Sequence, residues 1–145
     1  MLTKSRVVFG SIVFVCFYGL ASSQAKAATT ADELMAGYLQ GAQKKDKGLK
    51  AFSASVGKTF FMTKNTTKKG EEMSCATCHT DNPTKTGKTK AGKAIDPIAI
   101  SANAKRFTDK AKVEKWFKRN CKDVYDRECT DKEKGDFVAY MKAAK

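Results

Sequence analysis

The chain has 145 residues, 41% hydrophobic and 30% charged, with a formal net charge of +13. That hydrophobic fraction excludes a disordered chain, and the length suits a compact domain behind any targeting segment. A balance this basic fits either nucleic acid or an acidic protein partner, and the N-terminus discriminates between them.

Lys4 and Arg6 precede an apolar core from Val7 to Leu20, and Ala25, Lys26 and Ala27 form an A-x-A pattern. This order predicts a secretory signal peptide over residues 1–27, cleaved to leave a mature domain over 28–145. The apolar core is shorter than the roughly 20 residues that cross a bilayer, so no membrane span is expected after cleavage. Cys16 would leave with the peptide. Export to the periplasm argues against nucleic acid as partner. The remaining lysines then suit an acidic protein met through electrostatic steering, or simply keep a small domain soluble.

"TADELMAGYLQGAQ" has acidic residues at its start and Leu34, Tyr38 and Leu39 on one face, predicting a short helix. Gly48 marks a turn. "LKAFSASVGKTFFM" places Phe52, Val56 and Phe60 at i, i+4 and i+8, predicting an amphipathic helix whose Gly57 admits a close neighbour. "TKNTTKKGEE" reads as a loop leading to "MSCATCHT". The long stretch "TDNPTKTGKTKAGKAIDPIAISANAKRF" shows glycine and proline breaks and no sustained period. Loops of that length inside a compact domain need a reason, and wrapping a large apolar cofactor is a sufficient one. "TDKAKVEKWFKRN" offers Thr108 as an N-cap and Val113, Trp116 and Phe117 as a buried stripe. "TDKEKGDFVAYMKAAK" opens on a capping box, Thr130 with Glu133, and carries Phe137, Val138, Tyr140 and Met141. Helices without alternating strands predict an all-α domain.

The chain's single histidine, His79, completes a C-x-x-C-H motif with Cys75 and Cys78. The spacing suits covalent haem c: each thiol adds to a vinyl group, and the following imidazole reaches the iron. A thioredoxin-like pair would sit in a βαβ pattern, and a zinc site would need nearer ligands than this chain has. Cys75 and Cys78 are therefore the expected thioether anchors and His79 the proximal ligand. A carbonyl near Pro97 is a candidate acceptor for the other imidazole nitrogen. In an oxidising compartment, Cys121 and Cys129 are left to form a disulfide, stabilising by roughly 2–3 kcal/mol in the chain-entropy model.

The position opposite His79 has no obvious methionine. None lies between Met73 and Met141; Met73 is too close to the anchors, and Met141 fits a core position. Lysines, Tyr125, a cysteine thiolate, Asn103, Asn120 or no ligand at all remain. Asn120 precedes Cys121, whose disulfide would brace it, and it can equally be read as a helix C-cap.

"CATCH", "GKAIDP", "RFTDKAKVEKWFKRNC" and "REC" together resemble the SHP family, small monohaem class I cytochromes c with an asparagine distal ligand. The resemblance covers nearly all of residues 28–145. It implies a class I cytochrome c-like helical domain around one haem c, with Asn120 on the distal side and Cys121–Cys129 as the adjoining disulfide. It also implies release of Asn120 on reduction, binding of diatomic gases such as O₂, NO or CO, and a redox partner of the dihaem cytochrome c type. Two other readings stay open: a plain periplasmic electron shuttle, and an oxygen or nitrogen-oxide reductase. No general acid/base pair is evident for the last, since Asp123, Asp126 and Glu128 read as surface charges.

Overall fold

A computed structural model describes residues 30–145. The expected signal peptide, 1–27, lies outside them. Five helices follow in chain order: α1 Ala31–Gln43, α2 Ala54–Met62, α3 Cys75–His79, α4 Lys110–Tyr125 and α5 Asp131–Ala143. The domain is all-α, as expected, apart from two antiparallel ladders of two residues per strand. In the first, β1 Asn65–Thr66 pairs with β2 Glu72–Met73; in the second, β3 Gly87–Lys88 pairs with β4 Ala94–Ile95. Both fall in segments read from sequence as loops.

Side-chain caps fix where the helices start. Thr30 with Glu33 and Thr130 with Glu133 form capping boxes, satisfying orphan N–H groups of α1 and α5. The N-cap of α4 is Asp109 rather than Thr108, because the Asp109 carboxylate accepts from Lys112 N at 3.1 Å. Ser53 caps α2, which leaves Phe52 outside that helix. The buried face of α2 is Gly57 and Phe61, with Phe60 half-buried, while Val56 is exposed. The apolar stripe thus runs one residue away from the expected one.

At Gly57, α2 crosses α5 closely enough that a Cβ would stand 1.9 Å from the Asp136 carbonyl oxygen. Phe52 packs flat on the missing side chain of Gly135 at the start of α5. Asp136, 2% exposed, accepts from Ser53 N at 2.8 Å and from Lys132 Nζ at 2.6 Å, so the crossing carries no unpaired buried charge.

Two apolar clusters result. One joins Leu34, Tyr38, Phe117, Cys121, Cys129 and Val138; the other joins Phe61, Ile98, Tyr140 and Met141. Met141 is fully buried, the core position expected of it. Phe107 and Phe137 border both clusters. The long segment after α3 is tied to the end of α5, with Ile100 N donating to Met141 O at 3.0 Å and Ser101 Oγ to Ala144 O at 2.7 Å.

Candidate functional site

The C-x-x-C-H residues form the whole of α3. Ser74 caps it, accepting from Thr77 N, while Thr77 Oγ1 accepts from Ser74 N at 2.9 Å. One short helical turn therefore carries Cys75, Cys78 and His79. Gly87 presses against it: a Cβ there would lie 2.1 Å from the Cys78 carbonyl oxygen. The β3–β4 ladder is thus a clamp on the motif, which sequence periodicity in "TGKTKAGKAI" did not announce.

Cys75 and Cys78 are free thiols, both half-buried, and are not joined to each other. Burial raises the Cys75 thiol to about 11, against a smaller lowering influence of the Tyr125 hydroxyl. Tyr125 also donates to Phe60 O at 2.6 Å and stacks on the Phe60 ring at 4.7 Å, so the end of α4 meets the anchor helix here. His79 is half-buried. Burial, and then the positive charge of Arg106, hold its imidazole down at about 4, so it is neutral with a lone pair available at neutral pH.

The carbonyl of Pro97, a candidate acceptor for His79, receives Arg106 Nε at 2.8 Å, and a second Arg106 N–H reaches Asp96 O at 2.6 Å. Arg106 organises the loop at Asp96 and Pro97, a role the sequence reading missed.

Cys121 and Cys129 are joined, with Cα atoms 5.7 Å apart. Asn120 does not end its helix. α4 continues to Tyr125, and Asp126 in the left-handed region, φ 55° and ψ 17°, is the C-cap. Asn120 is instead a half-buried interior position, sharing a helical face with Val113, Phe117 and Val124. The other candidate asparagine is already engaged: Asn103 donates to Pro97 O at 3.5 Å and accepts from Lys105 N at 3.1 Å. Asn82 likewise accepts from both Thr84 N and Thr84 Oγ1. No hydrogen bond of the Asn120 carboxamide is found among the described residues. Trp116, expected in the buried stripe, is turned outward and 45% exposed.

The residues present fit a covalently bound haem c. Two unpaired thiols stand three residues apart on one helical turn, followed at once by a neutral imidazole. When bound, haem supplies an iron that changes oxidation state and offers two axial positions. Cys75 and Cys78 would hold it and His79 would fill the proximal position.

Comparison with known proteins agrees. Residues 47–141 match the family described as Domain of unknown function (DUF1924). The chain is 43% identical over 115 residues to cytochrome c-type protein SHP of Cereibacter sphaeroides, an alignment covering 79% of this chain and 84% of that protein. It is 41% identical over 114 residues to cytochrome c'' of Methylophilus methylotrophus, covering 78% of this chain and 79% of that one. The crystal structure of oxidised cytochrome c'' from that organism superposes with a TM-score of 0.74 at 40% identity, covering 79% of this chain and 94% of that chain. The structure of oxidised SHP, described as an oxygen-binding cytochrome c, superposes with a TM-score of 0.71 at 41% identity, covering 80% of this chain and 98% of that chain. The chain belongs to the DUF1924 family, is a relative of SHP and cytochrome c'', and is a helical c-type cytochrome whose cofactor is haem c.

Proposed function

We propose that the protein is an exported cytochrome, cleaved near Ala27, that accepts electrons from an acidic redox partner and binds a diatomic gas when reduced. Cys75 and Cys78 would hold the haem, His79 would be the permanent iron ligand, and Asn120 would be the exchangeable one. The observation that carries this reading is the position of Asn120: a carboxamide without a hydrogen-bond partner among the described residues, set in the apolar face of α4 beside the Cys121–Cys129 disulfide.

The chemistry of a carboxamide suits the role. It is neutral and a weak donor, able to hold ferric iron and poor at holding ferrous iron. Asn120 would therefore give up the iron on reduction and remain nearby as a hydrogen-bonding group, one control over whether a haem protein binds gas or only passes electrons. The likeness to SHP, described as oxygen-binding, supports gas binding; a solution structure of Methylophilus cytochrome c'', described in terms of haem-ligand detachment, supports an axial ligand that leaves.

The test is the absorption spectrum of the anaerobically reduced protein before and after adding CO. A high-spin ferrous spectrum that converts rapidly to a CO adduct is expected, and Asn120→Met or Asn120→His should abolish the rapid conversion. A low-spin ferrous spectrum indifferent to CO would place a strong ligand on the iron and leave a plain electron carrier.

A further inference from the structure

We infer that the outward face of α4 around Trp116 is the docking surface for an acidic redox protein. The inference rests on the electron-accepting role proposed above and places the partner on the helix that carries Asn120.

α4 holds six basic residues, Lys110, Lys112, Lys115, Lys118, Arg119 and Lys122, against two acidic ones, Glu114 and Asp123. Glu114 is turned inward to Lys134 and Tyr38. Asp123 pairs with Arg119 at 4.0 Å. Lys112, Lys115, Lys118 and Lys122 are exposed and join no ion pair among the described residues. At 100° per residue, Lys112, Lys115, Trp116, Arg119 and the Asp123 paired with Arg119 occupy one sector, opposite buried Phe117 and Cys121.

In that basic sector stands the chain's single tryptophan, with the Arg119 guanidinium 5.6 Å from its ring centroid. A large aromatic flanked by Arg119 and by Lys112 and Lys115, which join no ion pair among the described residues, is the composition of an interface hot spot, where the ring supplies the anchor and the charges supply steering and register. Trp116 lies one helical turn before Asn120, so a partner seated here sits beside the proposed distal position.

The alternative occupant, an anionic membrane, fits less well. Trp116 is the sole exposed large apolar side chain of α4, whereas helices that lie in a membrane surface present a broad apolar face.

The experiment uses the haem-loaded ferric protein labelled with nitrogen-15, in which the single indole N–H gives one resonance. It is titrated with oxidised flavodoxin, an acidic redox protein, and separately with phosphatidylglycerol vesicles. The indole resonance is expected to shift to saturation with flavodoxin and return as salt rises from about 20 to about 300 mM. Lys112→Gln with Lys115→Gln should weaken binding about fivefold, and Lys44→Gln with Lys45→Gln, the same charge change beyond α1, should leave it unchanged. An unmoved indole signal, equal weakening by both pairs, or a saturating shift with vesicles alone would overturn the inference. CO binding by the same reduced sample separates the two proposals: a CO adduct without α4 docking sinks only the surface, and docking without a CO adduct sinks only the gas site.

Discussion

His79 is followed by a residue under strain. Thr80 has φ 61° and ψ 169°, a region glycine enters freely and side chains rarely do, and its hydroxyl donates to Asn82 O at 2.8 Å. The strain redirects the chain immediately after His79, so that Asn82 and Pro83 can turn back toward Ile98. Substituting alanine removes the hydrogen bond and keeps the strain; glycine removes both. The usual order should therefore invert, with Thr80→Gly more stable than Thr80→Ala by about 1 kcal/mol or more, read from urea midpoints. Equal midpoints would mean that the backbone relaxes once the threonine is gone. Strain of this kind has no signature in composition or spacing, whereas the C-x-x-C-H chemistry could be read directly because it is local. Asn120 lay between these cases. Its C-cap reading failed because α4 runs on through Cys121, and only the completed helix shows the carboxamide interrupting the face of Val113, Phe117 and Val124.

Among the elements, the α2–α5 crossing depends most on a single residue. Gly57 lets the Asp136 carbonyl and the Tyr140 Cβ approach, the latter to 3.0 Å from a built Cβ, and backbone there cannot yield as a flexible side chain would. Gly57→Ala should cost about 2–3 kcal/mol by overpacking. Gly37 is the internal control. It sits on the exposed side of α1 with nothing within 4 Å of a built Cβ, so Gly37→Ala should gain about 0.5–1 kcal/mol from helix propensity. Thermal midpoints moving in the same direction for both would show that the crossing is looser than drawn. The helices themselves were legible because a period of 3.6 residues and capping residues leave marks in sequence, as at Thr130 and Glu133. The β1–β2 and β3–β4 ladders were not, since two residues per strand hold no period to detect. Val56 and Trp116 were misplaced for a related reason: an apolar residue at the edge of a stripe faces in or out according to neighbours that only the tertiary packing supplies.

For the molecule as a whole, α1, α4 and α5 are held together by one part-buried polar network. Tyr38 donates to Glu114 at 2.5 Å, Lys134 donates to the other Glu114 oxygen at 2.8 Å, and the Lys134 ammonium lies 5.5 Å from the Tyr38 ring centroid. Burial, and then the hydrogen bond to Glu114, push the Tyr38 hydroxyl well above its ordinary range. Burial alone would raise Glu114; the hydrogen bonds from Lys134 and Tyr38 outweigh it and hold the carboxyl below its ordinary range. The two shifts act on opposite limbs of the stability curve. A depressed carboxyl stabilises above its unfolded value of about 4.3, and the contribution is lost as pH falls through the folded value. A raised phenol stabilises below its unfolded value of about 10, and the contribution is lost as pH rises above it, because only the unfolded chain then gives up the proton. Tyr38→Phe should therefore cost about 1.5–3 kcal/mol on a plateau around neutral pH, the range for a hydrogen bond to a charged group. The difference from the parent protein should shrink above about pH 10, where the unfolded tyrosine ionises, and again in acid, where Glu114 loses its charge. Urea unfolding of both proteins across that range measures it. A difference constant with pH would mean that the ring packing of Tyr38 on Phe117, centroids 6.1 Å apart, joins the three helices without help from its hydroxyl.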